Sequence, residues 1–295
     1  MIEKIAVFCK NLLDWFKSDR CFVSPFIKAF PLANNLLLIT LGLFLATFNT
    51  LYFAVSMRMG VNLLIAVFIL AFLSSAVASG FCQVVKQSVQ EYDENEDFKN
   101  YDVKTTFEIF YTGVGRRYLQ FFGGFMLFFV IIIAGMMLSM ILATKFICPL
   151  SSIGLDLDTL QLVMANQGAL AEFASQMTKS QVVHLLVLFY ITNVITPFIM
   201  GYFLMLWIPE FMYSGKSVVV SLFTSIKKLF SDFWNTLCIY ILIVLGHIFI
   251  AFAFALLPQT SIMLYISSLI FIYWVIYNFF TIFIYYKNRG KYTGE

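Results

Sequence analysis

An all-α membrane protein with six transmembrane helices is the fold class that this sequence predicts, and three observations carry the prediction. Hydrophobic residues make up 61% of the chain and charged residues 12%, against about 45–50% and about 25% in ordinary globular proteins. Six apolar stretches are each long enough to cross a hydrocarbon core, which takes about 20 residues of helix. Of the 19 Lys and Arg residues, only Arg58, Lys145 and Lys179 fall on one side of the resulting topology. The formal charge of +3 is too small to argue for nucleic acid; what matters is where the charges sit.

The expected spans are Leu36–Ser56, Val61–Val85, Leu119–Thr144, Val182–Ile208, Thr236–Leu257 and Ile262–Tyr286, and none contains Asp, Glu, Lys or Arg. The first hairpin turns around Met57–Gly60 and the last around Pro258–Ser261, so both are tight. Lys and Arg mark the cytoplasmic side of a membrane protein. Their bias predicts that both termini are cytoplasmic, in a bacterial inner membrane. No cleavable signal peptide is expected, because the amino end reads as a charged helix rather than a basic region followed by an apolar run. Of the five cysteines, only Cys148 would face outside, so no external disulfide is available within the chain. The absence of any Asn-x-Ser/Thr sequon fits the same location.

A nine-residue pattern recurs three times ahead of these spans: "FVSPFIKAF" from Phe22, "FYTGVGRRY" from Phe110 and "LFTSIKKLF" from Leu222. The last two align without gaps over a longer stretch, with Tyr101 meeting Tyr213, Lys104 meeting Lys216, Thr112 meeting Thr224 and Arg116 meeting Lys228. In the third copy Val219, Leu222, Phe223, Ile226, Leu229, Phe230 and Phe233 recur at steps of three and four, the spacing of one helical stripe. Lys216, Ser221, Thr224, Ser225, Lys228 and Ser231 lie opposite. Such segments are too polar to span and are expected to lie along the cytoplasmic interface with Lys and Arg toward anionic headgroups. Lys28, Arg116, Arg117, Lys216, Lys227 and Lys228 are the expected headgroup or partner contacts. The organisation read from this is one polytopic domain over 1–295, with repeat units 20–90, 104–208 and 216–286 and an external helical loop at 148–181. Convergence of basic amphipathic segments on one interfacial problem would produce the same pattern.

Two further segments are amphipathic. Ile5, Phe8, Leu12 and Phe16 form a stripe at the amino end, and Leu157–Met177 reads as a short external helix or hairpin. Asp156 and Asp158 before it suit helix N-capping. The acidic run "EYDENEDFKNYD" from Glu91 reads as solvated.

The chain carries none of the usual signatures of NTPase, zinc protease or serine hydrolase. Its two histidines, His184 and His247, fall on different spans, and a metal site would need further ligands. No cofactor is expected. With no carboxylate in any span, ion coupling through an intramembrane acid is not expected either. Asn49, Asn193 and Asn278 read as interhelical hydrogen bonds. Pro197 removes a backbone donor and frees the carbonyl of Asn193, which predicts a kink. Asn193, Thr196, Pro197 and His247 are the candidates for lining a kink or cavity, with repair by the Thr hydroxyls as the alternative. Ala71, Ser75 and Ser79 on the second span, and Gly135, Ser139 and Ala143 on the third, are small-residue ridges that let helices approach.

The stretch "PEFMYSGKSVVVSLFTSIKKLF" resembles a feature of bacterial six-span families, including the membrane domain attached to some glycerophosphodiester phosphodiesterases. In these a short Ser- and Lys/Arg-bearing segment follows a span ending in Pro. The likeness covers about the central two-thirds of the chain; the phosphodiesterase's catalytic domain has no counterpart here, so its activity does not carry over. Three function classes follow. The first is a non-catalytic membrane component that organises membrane lipids or a protein partner through its basic interfacial helices. The second is the permease subunit of an exporter driven by a separate ATPase, coupled through Gln90–Arg117 or Glu210–Phe233. A lipid-modifying enzyme is the third, and has only exposed Ser, Asp and Glu as candidate reactive groups.

Overall fold

The computed structural model describes residues 23–59, 62–95, 98, 100–147, 149, 177–257 and 260–293. The amphipathic stripe of Ile5, Phe8, Leu12 and Phe16 lies outside these residues, as do Cys148, Asp156, Asp158 and, but for Met177, the helix read over Leu157–Met177. Among the described residues all regular structure is helical, and no strand occurs. We number the helices α1 Ser24–Ala33, α2 Leu36–Arg58, α3 Leu63–Glu94, α4 Val103–Phe146 and α5 Lys179–Tyr190. A π-helical segment, Ile191–Ile195, leads into α6 Thr196–Leu204, followed by α7 Trp207–Ser214, α8 Val218–Ser231, α9 Phe233–Ala255 and α10 Ser261–Thr293. Six stretches of these helices are long and apolar enough to cross a membrane: Leu36–Ser56, Ile65–Glu94, Val103–Phe146, Lys179–Ser214, Phe233–Ala255 and Ile262–Arg289. That is the make-up of an integral membrane protein, because a bilayer core accepts only backbone whose polar groups are bonded internally.

The three pattern-bearing segments do not fold alike. The first and third form short helices of their own, α1 and α8, each broken from the next apolar helix, at Asn34–Asn35 and at Asp232. The second does not: α4 runs unbroken for 44 residues through the expected boundary before Leu119. At 1.5 Å per residue it is about 66 Å long, roughly twice a hydrocarbon core of about 30 Å. The difference has a local cause. Asn35 Oδ1 accepts the N–H of Leu38 at 3.1 Å and starts α2 afresh, whereas nothing between Arg116 and Phe122 competes with the helix for its own backbone.

The described residues fall into two compact units, Met1–Met126 with Leu204–Glu295, and Leu127–Phe203. In the first, α10 is the central element, packed against α1, α2, α3 and α7. Its core gathers Ile276, Phe280, Phe283 and Ile284 of α10 with Leu32 of α1, Leu38 of α2, Val85 and Val89 of α3 and Met212 of α7. Between membrane helices such side chains contribute through close packing rather than through removal from water. Pro31 inside α1 has no N–H for the Ile27 carbonyl, and two other carbonyls of α1 accept bonds from outside the helix. Tyr277 of α10 donates to the Phe26 carbonyl at 2.8 Å, and Asn100 to the Pro31 carbonyl at 3.2 Å.

Helices α3 and α4 meet at glycine. A Cβ on Gly113 would lie 2.5 Å from Cβ of Gln83 and 2.8 Å from the Ser79 carbonyl oxygen. The expected small-residue ridge of α3 is buried along its length, at Ala71, Ser75 and Ser79. Gly113 is the fourth residue of the recurring pattern, and its counterparts Pro25 and Ser225 are buried too. In all three copies that position sits within a helix, so packing rather than turn formation is the shared requirement. In the second unit, the Thr178–Gln181 capping box starts α5. Gly135 of the expected α4 ridge faces Met200 of α6, whose sulfur leaves no room for a Cβ.

Candidate functional site

Three buried or half-buried acids are paired at one end of the first unit, where α3, α7, α8 and α10 come together. Successive residues of an α-helix point about 100° apart, so the carboxyl-terminal part of α10 reaches several partners from adjacent positions. Tyr286 donates to Glu210 Oε2 of α7 at 2.5 Å, and Lys228 Nζ of α8 lies 2.6 Å from the same oxygen and 2.5 Å from the Tyr286 hydroxyl. Lys287 pairs with Asp93 of α3 at 2.9 Å. Tyr285 donates to Asp232 Oδ2 at 2.6 Å, and Asn235 donates to Asp232 Oδ1 at 2.7 Å. Arg289, one turn on from Tyr285, lies 4.0 Å from Asp232 and donates to the Ser231 hydroxyl.

Glu210 is only 1% exposed, and Lys228 keeps 39% of its side chain exposed. An isolated buried carboxylate would be strongly disfavoured. Here the first turn of α7 supplies helix-dipole stabilisation, and Tyr286 and Lys228 complete the set. Lys228 also lies 4.7 Å from the centre of the Tyr286 ring, which itself stacks on Tyr213. The sequence reading placed Glu210 beyond the end of a span, at the interface. The structure adds that Glu210 is buried there, with the core residues Trp207, Phe211 and Met212 around it. A lone acid in an otherwise apolar run was the signal.

The carboxyl end of α7 is where Arg117, another expected headgroup residue, acts together with Lys86. Gly215 closes α7 at φ +65°, in the left-handed region that glycine adopts without a Cβ penalty. Its last carbonyls have no helical partner, and two cations reach them. Arg117 of α4 donates to the Phe211 carbonyl at 3.1 Å, and Lys86 of α3 donates to the Met212 carbonyl at 2.8 Å. Arg117 also lies over the Phe211 ring and Lys86 over the Tyr213 ring, each 5.4 Å from the centre. Arg117 thus fastens α4 to α7 instead of reaching outward. Lys86 had no assigned role in the sequence reading.

The remaining expected contact residues divide. Arg116, Lys216 and Lys227 are exposed, and Lys28 is half-buried on α1. Helix α8 buries part of each of its two expected faces. Ser221 and Ser225 of its nominally polar face are fully buried alongside Leu222 and Leu229, while Val219, Phe223 and Phe230 of the apolar stripe are exposed. Small hydroxyls cost little to bury when bonded to their own helix, as Ser225 is to Leu222 at 2.7 Å. Val103, Phe107 and Tyr111 make a similar exposed stripe along the start of α4. Asp102 caps that start by accepting from the Thr105 N–H at 3.1 Å, and its hydrogen bonds from Thr105 hold its carboxyl below the ordinary carboxylate range.

The kink and cavity candidates lie in both units. In the second, the π segment Ile191–Ile195 sits just ahead of Pro197. The Thr196 hydroxyl donates to the Ile191 carbonyl at 2.8 Å and Thr192 to that of Leu188 at 2.8 Å. Asn193 turns back onto its own helix, donating to Phe189 at 3.2 Å, instead of bridging to another. Asn278, 4% exposed, has neither amide atom paired, and Asn49 Oδ1 is also unpaired. The interhelical bonds read for Asn193 and Asn278 are therefore not formed. In the first unit, His247 Nδ1 lies 2.9 Å from the Ile243 carbonyl; a carbonyl only accepts, so Nδ1 carries the proton. Its ring packs edge-on against Phe271 and Trp274. Among the described residues no group of three or more His, Cys, Asp or Glu is placed to hold a metal. No family model matches this chain, and no curated protein or solved structure matches it either.

Proposed function

We propose that this chain is a non-catalytic multi-pass membrane protein, with both termini cytoplasmic, that engages anionic lipid headgroups through α8 and the first part of α4. One observation carries the reading. On both helices exposed apolar residues alternate with exposed cations: Val219, Phe223 and Phe230 with Lys216 and Lys227, and Val103, Phe107 and Tyr111 with Lys104 and Arg116. A helix so patterned beds its apolar edge at the acyl boundary and sets its cations among headgroups. The reading uses Arg116, Lys216 and Lys227 as the lipid contacts, and leaves Arg117 and Lys228 as the residues that hold those helices to the bundle. The bias of Lys and Arg supports the orientation.

Spin-labelled phosphatidylglycerol and phosphatidylcholine, added to the reconstituted full chain, measure the preference directly. Each Lys or Arg near an anionic surface is worth about 1 kcal/mol, so Arg116→Ala, Lys216→Ala and Lys227→Ala together should abolish most of the selectivity. Equal association of the two lipids with the unaltered protein would refute the proposal. An ATPase that copurifies in fixed ratio would support the permease subunit instead.

A further inference from the structure

We propose that the far end of the first unit holds one acyl chain of a membrane lipid, in a cleft between α2, α9 and α10. This site is separate from the charged end and does not rest on the headgroup reading. The cleft has a volume of about 430 Å³, within the range of small-ligand pockets. Its walls are cut back by Ala46, Ala251 and Ala255. Of its two serines, Ser268 already donates to the Leu264 carbonyl at 2.9 Å. The lining therefore offers an occupant hydrophobic contact and little else.

Position and shape identify the occupant. Along α10 the lining runs from Met263 to Ile272, about 14 Å at helical rise, close to the roughly 15 Å depth of one leaflet's hydrocarbon. Phe271 stands about 24 Å along the same helix from Lys287, so the cleft belongs to the leaflet away from the charged end. Leu257, Leu264 and Phe271 on its rim are exposed, so it opens sideways, where bilayer hydrocarbon is the solvent. The inner end is closed. A Cβ on Gly42 would lie 2.8 Å from Ile272, and the His247 ring backs Phe271 at 6.0 Å between centres. The lining is almost wholly apolar and the cleft opens toward the bilayer side, so the occupant that its position supplies is a single hydrocarbon chain.

The test uses the full chain in nanodiscs with a phosphatidylcholine carrying a diazirine midway along one acyl chain. The neutral headgroup keeps the outcome independent of anionic-lipid selectivity. Photolysis should label Ala251, Phe254, Ala255 and Met263–Ile272, assigned residue by residue, above the outward residues Ile248, Phe249 and Phe252. Ala251→Phe should lower cleft labelling about tenfold, equivalent to about 1.4 kcal/mol of chain binding, and leave the outward labelling unchanged. Native mass spectrometry of the unaltered protein gives a second reading that needs no variant. One lipid should persist at collision energies that strip the others. Uniform labelling of all exposed faces, labelling indifferent to Ala251→Phe in folded protein, or loss of every lipid at the same energy would overturn the assignment.

Discussion

Lys228→Ala removes the ammonium that lies 2.6 Å from a carboxylate with 1% exposure. Glu210 would keep the Tyr286 hydroxyl as a donor, but its charge would be uncompensated in the core. Breaking a fully buried pair costs about 3–5 kcal/mol. Lys228 retains 39% exposure, so solvent screens part of the charge, and about 2–3 kcal/mol is the expected loss. At about 2–4 °C per kcal/mol, the scale for a chain of 150–250 residues, that lowers the apparent melting temperature by about 4–12 °C. Fluorescence-detected size exclusion of heated, detergent-solubilised protein reads the shift. Glu210→Gln combined with Lys228→Met keeps the side-chain volumes and removes both charges, and should recover most of the loss, because an apolar replacement of a buried pair is often neutral. A double variant at least as unstable as Lys228→Ala would refute the reasoning, as would a Lys228→Ala protein that melts with the unaltered chain.

Arg117→Met should lower stability by about 1–3 kcal/mol by leaving the Phe211 carbonyl of α7 without its charged donor, whereas Arg116→Met, at an exposed position, should stay within about 0.5 kcal/mol; the same melting assay compares the two. Gly113→Val should abolish the monodisperse peak, since Gln83 and Ser79 occupy the space of its side chain. Gly115→Ala, with no atom within 4 Å of the new Cβ, should be neutral or stabilising by up to about 1 kcal/mol through helix propensity.

The sequence was sufficient for the existence of six apolar helices, because hydrocarbon length and composition are one-dimensional properties of a chain, but not for limits such as the start of α4 at Val103. The small-residue positions were also legible, since Ala71, Ser75 and Ser79 are buried at the four-residue spacing that brings helices together. What composition could not separate was two uses of one pattern. Lys28, Arg116 and Lys228 occupy the same place in three similar segments, yet Arg116 is exposed and Lys228 is held by Glu210. Whether a cation meets solvent or a buried acid depends on what another helix brings to it, and Glu210 and Tyr286 lie far along the chain from one another. The choice of buried face on α8 has the same origin. Its serine edge and its aromatic edge are both viable inward faces by periodicity, and only the placement of α7 and α10 selects the serines. Likewise, no local signal distinguishes an arginine at a membrane surface from one that, like Arg117, closes the end of a helix. The difference lies in the Phe211 carbonyl of α7, whose position is set by a tertiary contact.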